Sequence, residues 1–112
     1  MIADQCLSAI QYLHHNNYIH QDIKPENFAM GLDHRSHIIH LLDFGLSKIF
    51  IDKKTSKHVE YKENMNLVGT PKYLSINGHL GIKLSRRDDL ESLGYMLIYL
   101  MKGYLPWQEI SV

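Results

Sequence analysis

His20-Gln21-Asp22-Ile23-Lys24-Pro25-Glu26-Asn27, followed a short hairpin's length later by Asp43-Phe44-Gly45, is the stretch that decides how this chain is read. Two carboxylates, an amide and a lysine stand there with side chains suited to one task. Asp22 can accept a hydrogen bond from a hydroxyl and take its proton late in a transfer, which makes it the candidate base. Lys24 is a flexible point charge, able to follow a moving anionic oxygen. Asn27 offers a neutral carbonyl oxygen and Asp43 a charged one, both hard ligands of the kind Mg²⁺ prefers. Pro25 fixes φ and stiffens the loop, while Gly45 is expected to allow the backbone turn that aims Asp43 inward.

Either motif alone is commonplace, since His-x-Asp occurs in many loops and Asp-Phe-Gly reads as an ordinary turn after a strand. Together, in this order and with Asn27 in register, they have the spacing of a kinase catalytic loop followed by its magnesium-binding loop. Phosphoryl transfer asks little covalent chemistry of a protein. It asks for a hydroxyl in line with the γ-phosphate of ATP, and for charges that neutralise a spreading negative one. Asp22 and Lys24 are therefore the candidate catalytic residues, Asn27 and Asp43 the candidate Mg²⁺ ligands, and ATP the expected phosphoryl donor.

Around these loops the pattern is mixed. Ile2, Cys6, Ala9, Ile10 and Leu13 recur at helical spacing, so the chain should open on an amphipathic helix ending near His15 to Asn17. Phe28 to Met30 and Ile38 to Leu42 are apolar runs around Gly31-Leu32-Asp33, which predicts a hairpin whose second arm delivers Asp43. Ser47 to Met65 is polar and lysine-rich with no sustained period, and reads as a long surface loop. Ser85-x-x-Asp88 precedes an apolar stretch from Leu90 to Met101, so a capped helix is expected there. Leu90, Leu93, Leu97, Ile98 and Met101 occupy one side and Tyr95, Met96, Tyr99 and Leu100 others, the signature of a helix buried nearly all round. The expected fold class is α+β, mainly helical, with a small β-hairpin carrying the two loops and residues 1–112 in one domain.

A family resemblance covers nearly the whole chain. Its residues are Ile23-Lys24-Pro25-Glu26-Asn27-Phe28, Gly69-Thr70 with Tyr73, Ser75-Ile76-Asn77, His79-Leu80-Gly81-Ile82, the run from Ser85-Arg86-Arg87-Asp88-Asp89 through Tyr95, and Leu105-Pro106-Trp107. On these the chain resembles the C-terminal lobe of a casein kinase 1 family serine/threonine protein kinase, with Ser75-Ile76-Asn77 where most kinases carry Ala-Pro-Glu. Asn27-Phe28-Ala29-Met30-Gly31 is also similar to tau-tubulin kinases. The resemblance implies that His20 packs beneath the catalytic loop, that Gly45 and Asp89 support the site, with Asp89 holding the loop's backbone, and that Thr70 and Lys72 meet the substrate. It also implies protein substrates with serine or threonine, acidic or primed by an upstream phosphate.

The chain departs from that family at Gln21 and Lys72, where it has arginine, and at Glu109, where it usually has glycine. Gln21 lacks the charge and the fork with which an arginine clamps a phosphorylated activation segment. Nothing resembles a glycine-rich nucleotide loop or the strand lysine that pairs with phosphates, so the chain is expected to be a kinase-domain fragment that is inactive alone. A reading from another class is a non-catalytic interaction module or pseudokinase remnant. The intact Asp22, Lys24, Asn27 and Asp43 weigh against it.

Composition narrows the setting. Twelve Lys and Arg balance 12 Asp and Glu, so no field argues for nucleic acid or a membrane surface as partner. The one cysteine, Cys6, excludes an internal disulfide and sits on the apolar face of the first helix, where it reads as a small buried hydrophobe. An intracellular setting, cytoplasmic or nuclear, is the expectation. His34, His37 and His40 run through a turn into a strand, where three-residue spacing alternates faces and cannot converge on one zinc ion.

Overall fold

The computed structural model describes residues 2–35 and 37–108, so Glu109 lies outside the described residues. Helix α1 (Ile2–His15) turns Cys6 and Ile10 inward, as its apolar spacing requires. It ends where expected: Asn17 takes a left-handed φ of 73° and donates its N–H to His14 O at 3.0 Å. Strand β1 (Tyr18–Ile19) follows, then the Asp22 loop, a 3₁₀ turn (Pro25–Asn27) with proline at its start, and β2 (Phe28–Met30). β2 pairs antiparallel with β3 (Ile39–Leu41) in the predicted hairpin, Phe28 opposite Leu41 and Met30 opposite Ile39. The hairpin's second arm runs through Leu42 to Asp43.

The segment read as a long surface loop is tied down at its start. β4 (Lys48–Ile49) pairs antiparallel with β1, and Ile51 bridges His58. Phe50 is the reason: it is fully buried, its N–H donates to Asn17 O at 2.9 Å, and Arg86, His14 and His58 surround its ring. Beyond Val59 the segment is exposed to Leu67, as a surface loop should be.

Two short stretches then lead to the long helix. Ser75 caps α2 (Ile76–His79) by accepting the Gly78 N–H on its Oγ at 3.0 Å, and α3 (Arg86–Lys102) starts just after Ser85. The Ser85 N–H donates to Asp88 Oδ2 at 2.7 Å, and the Ser75 hydroxyl donates to Asp88 Oδ1 at 2.7 Å, so Asp88 joins both caps. The expectation of a helix buried nearly all round is corrected within this chain. One face of α3 (Asp88, Asp89, Ser92, Leu93, Met96) is buried, while Leu90, Ile98, Leu100 and Met101 stand exposed. The partners that cover α3 here, α1 foremost, reach one side of it.

The result is a mixed α+β fold with more helix than strand and, among the described residues, two small antiparallel sheets. Its interior divides in two. One cluster joins Cys6, Ile10, Ile23, Tyr73, Leu93, Met96 and Leu105; the other joins Ile19, Phe50, Leu74 and Leu84. The Asp22 loop straddles them, with Ile19 in one and Ile23 in the other, so the polar residues between are carried on two apolar anchors. No helix among the described residues is long and apolar enough to cross a membrane.

Candidate active site

The frame of the site is one buried carboxylate. Asp89, in the first turns of α3 and 2% exposed, accepts the His20 N–H on Oδ2 at 2.8 Å and the Gln21 N–H on Oδ1 at 2.9 Å. His14 Nε2, from the last turn of α1, also lies 2.8 Å from Asp89 Oδ2. These bonds hold Gln21 at a φ of 73°, a left-handed conformation that costs an ordinary residue roughly 1–2 kcal/mol. His20, fully buried, then donates from Nε2 to Leu42 O at 2.9 Å and accepts the Asp22 N–H on Nδ1 at 3.1 Å. The two partners fix its tautomer, with hydrogen on Nε2.

On this frame four predicted residues come together. The Thr70 hydroxyl donates to Asp22 Oδ1 at 2.9 Å and accepts from Lys24 Nζ at 2.9 Å, while Lys24 Nζ stands 3.7 Å from Asp22 Oδ2. Asn27 donates its Nδ2 to Asp22 O at 2.8 Å, and that amide nitrogen lies 3.4 Å from Asp22 Oδ2. Thr70 is held by the turn that follows it, where Tyr73 N–H returns to Thr70 O at 3.0 Å and the Tyr73 ring enters the core. Asp22 and Lys24 side chains keep 13% and 23% of their surface open, so neither is sealed from solvent.

Gly69 makes this convergence possible. Its φ is +84°, and a Cβ there would collide with the carbonyl oxygen of Gln21, with Asp22 Oδ1 just beyond at 3.5 Å. Backbone approaches backbone at that point, which only glycine permits. The motif Gly69-Thr70 was visible in the sequence; its contact with the Asp22 loop, some 48 residues distant for Thr70, was not.

Asp43 enters through Leu42, whose N–H donates to Asn27 O at 2.7 Å and whose carbonyl receives His20. The expected role of Gly45 is corrected here. Asp43 itself takes the left-handed φ, 55°, and Gly45 does not. A short polar side chain tolerates that region, and the Gly45 N–H donates to Asp43 Oδ1 at 3.2 Å. A Cβ on Gly45 would lie 3.2 Å from the same oxygen, so glycine here keeps space around the carboxylate. Lys72 stands apart from the group. Its ammonium lies over the Tyr99 ring, 3.6 Å from the centroid, with Tyr73 at 5.4 Å, while Trp107 Nε1 donates to Lys72 O at 2.7 Å.

Burial pushes the Cys6 thiol up, which suits a packing residue rather than a nucleophile. Tyr95 is pushed up to about 12, by burial first and then by its hydrogen bond to Glu91, whose Oε2 it meets at 2.6 Å. Glu91 also accepts the Ile76 N–H at 2.7 Å, which pins the start of α2 to α3.

The donor set fits a magnesium ion. Asn27 spends its Nδ2 on Asp22, which orients the amide so that Oδ1 is the remaining atom, and the exposed Asp43 carboxylate gives up one weak bond to Gly45. One carboxylate and one amide oxygen are what Mg²⁺ takes from a protein when phosphates and waters supply the rest. The whole chain, residues 1–112, matches the family profile "Protein kinase domain". The chain belongs to the protein kinase family, whose domains transfer phosphoryl groups.

Gly69→Ala tests the close approach. The added methyl must displace Gln21 or the Gly69 backbone, and a positive φ adds strain, so stability should fall by more than about 1 kcal/mol in urea unfolding. Thr70 and Lys24 resonances should shift in the same spectrum. A variant as stable as the parent, with those resonances unmoved, would show that the two segments do not touch.

Proposed function

We propose that this chain is the lower-lobe part of an ATP-dependent serine/threonine protein kinase of the casein kinase 1 kind, with tau-tubulin kinases as its neighbouring group. The observation that supports it best is the Asp22 carboxylate bonded to Thr70 and flanked by Lys24 and Asn27. Asp22 accepts the hydrogen bond of a substrate serine or threonine hydroxyl and takes its proton as the substrate oxygen bonds to the γ-phosphorus and the bridging oxygen leaves with ADP. Lys24 neutralises the phosphoryl oxygens in flight, and Thr70 sets its separation from Asp22. Mg²⁺, held by Asn27 Oδ1 and Asp43, would offset the charge of the phosphate oxygens. His20 and Asp89 act on the backbone and leave the chemistry to these residues.

Two substitutions separate the roles in a kinase that carries this segment together with a nucleotide-binding lobe. Asp22→Asn should lower kcat by orders of magnitude and leave ATP affinity nearly unchanged, because the group acts mainly in the transition state. Asp43→Ala should raise the Mg²⁺ concentration needed for half-maximal rate. Full activity in both variants would contradict the assignment and favour a non-catalytic module.

Substrate choice turns on Lys72 and Glu109. A phosphate upstream of the acceptor would have to draw the Lys72 ammonium off the Tyr99 ring, and a lysine lacks the fork of an arginine. Glu109 adds a negative charge nearby in sequence. Preference for primed peptides should therefore be weak, and Glu109→Gly should strengthen it in kcat/KM measured with and without the upstream phosphate. A strong preference that the substitution leaves unchanged would refute this reading of the two residues.

A further inference from the structure

Gln21 meets three segments that are distant in sequence. Its N–H goes to Asp89 Oδ1 at 2.9 Å, its carbonyl oxygen is the atom a Cβ on Gly69 would strike, and its side-chain Nε2 donates to Leu46 O at 2.5 Å. His20, the residue before it, donates from its ring to Leu42 O at 2.9 Å. Two successive side chains of one loop thus take up the carbonyls of Leu42 and Leu46, which lie on either side of Asp43. Between those points Gly45 N–H reaches Asp43 Oδ1 at 3.2 Å, and just past them Ser47 N–H closes a turn on Phe44 O at 3.0 Å.

We propose that Gln21 is a positioning residue, the outer jaw of a clamp whose inner jaw is His20, and that the clamp sets the direction of the Asp43 carboxylate relative to Asp22. Asp43 needs such a restraint, since it is exposed and holds a left-handed φ of 55°, with the Gly45 N–H on its carboxylate at 3.2 Å as local support. A glutamine suits the position. Its two methylenes span the gap, its amide is neutral, and a backbone carbonyl takes one of its N–H donors. The clamp closes on two backbone carbonyls, those of Leu42 and Leu46. The functional meaning of the clamp rests on reading Asp43 as a metal-binding carboxylate; the clamp's existence does not.

The test uses Gln21→Met, which keeps length without a donor, and Gln21→Glu, which presents an acceptor to a carbonyl. Amide hydrogen exchange is followed by NMR in the chain without nucleotide or metal. Exchange at Gly45 and Ser47 should accelerate roughly fivefold or more in both variants, the scale of one lost neutral hydrogen bond, while the amides at positions 20 and 21, held by Asp89, keep their rates. In Gln21→Glu the loss at Ser47, whose acceptor is a backbone carbonyl, should reverse below pH of about 4, where the protonated carboxyl can donate to Leu46 O. Unchanged exchange at Gly45 and Ser47 in either folded variant would overturn the proposal. So would an equal acceleration at positions 20 and 21, which would mean that Gln21 acts on the loop as a whole. Asp22→Asn kinetics report on phosphoryl transfer separately, so a failure of that reading and a failure of the clamp give different results.

Discussion

Everything polar in the site hangs from the Asp89 carboxylate. Its two oxygens take the N–H groups of His20 and Gln21, residues 69 and 68 positions away in the chain, and His14 meets one of them. A carboxylate buried to this degree is costly unless hydrogen bonds replace its water, and here three donors and the positive end of α3 do so. The same bonds hold Gln21 in a conformation it would not choose by itself. That conformation turns the Gln21 carbonyl towards Gly69 and sets the direction in which Asp22 leaves the loop.

Asp89 in turn is aimed by its neighbours. Asp88 receives Ser75 and the Ser85 N–H, which fixes where α3 begins, and Leu93 and Met96 seat the helix in the core one to two turns on. From Asp89 the order passes along His20 to Leu42, along Asn27 to the Asp22 carbonyl, and through Thr70 to Lys24. The arrangement places mobile, charged chemistry on short loops and leaves precision to two helices and two small apolar clusters. Lys72 has no part in this chain of contacts. It is committed to aromatic rings, which is why it separates from the other residues expected at the site.

The elements legible in the sequence were those written in local pattern. The opening helix showed in the spacing of Cys6 and Ile10, the hairpin in two apolar runs around a turn, and the start of α3 in Ser85 and Asp88. Lys24 and Asn27 beside Asp22 could be named from their chemistry and order, and Thr70 from the family resemblance. What stayed hidden depends on partners far along the chain. No local period marks the pairing of β1 with β4 or the burial of Phe50 inside a lysine-rich stretch. Gln21 looked like the loss of an arginine, and its bond to Leu46 shows only once both loops are folded. Gly45 was credited with a turn that Asp43 makes, because residue type alone does not say which of two neighbours carries the unusual φ.

The account stands on the claim that Asp89 organises the Asp22 loop, and Asp89→Asn tests it with almost no change of shape. Amide exchange at positions 20 and 21 should accelerate on the order of a hundredfold, the scale of losing hydrogen bonds to a buried charge, while the Ser85 amide, held by Asp88, keeps its rate. Unchanged protection at His20 and Gln21 in a folded Asp89→Asn chain would contradict the claim, and the loop would then owe its conformation to the apolar anchors Ile19 and Ile23 alone.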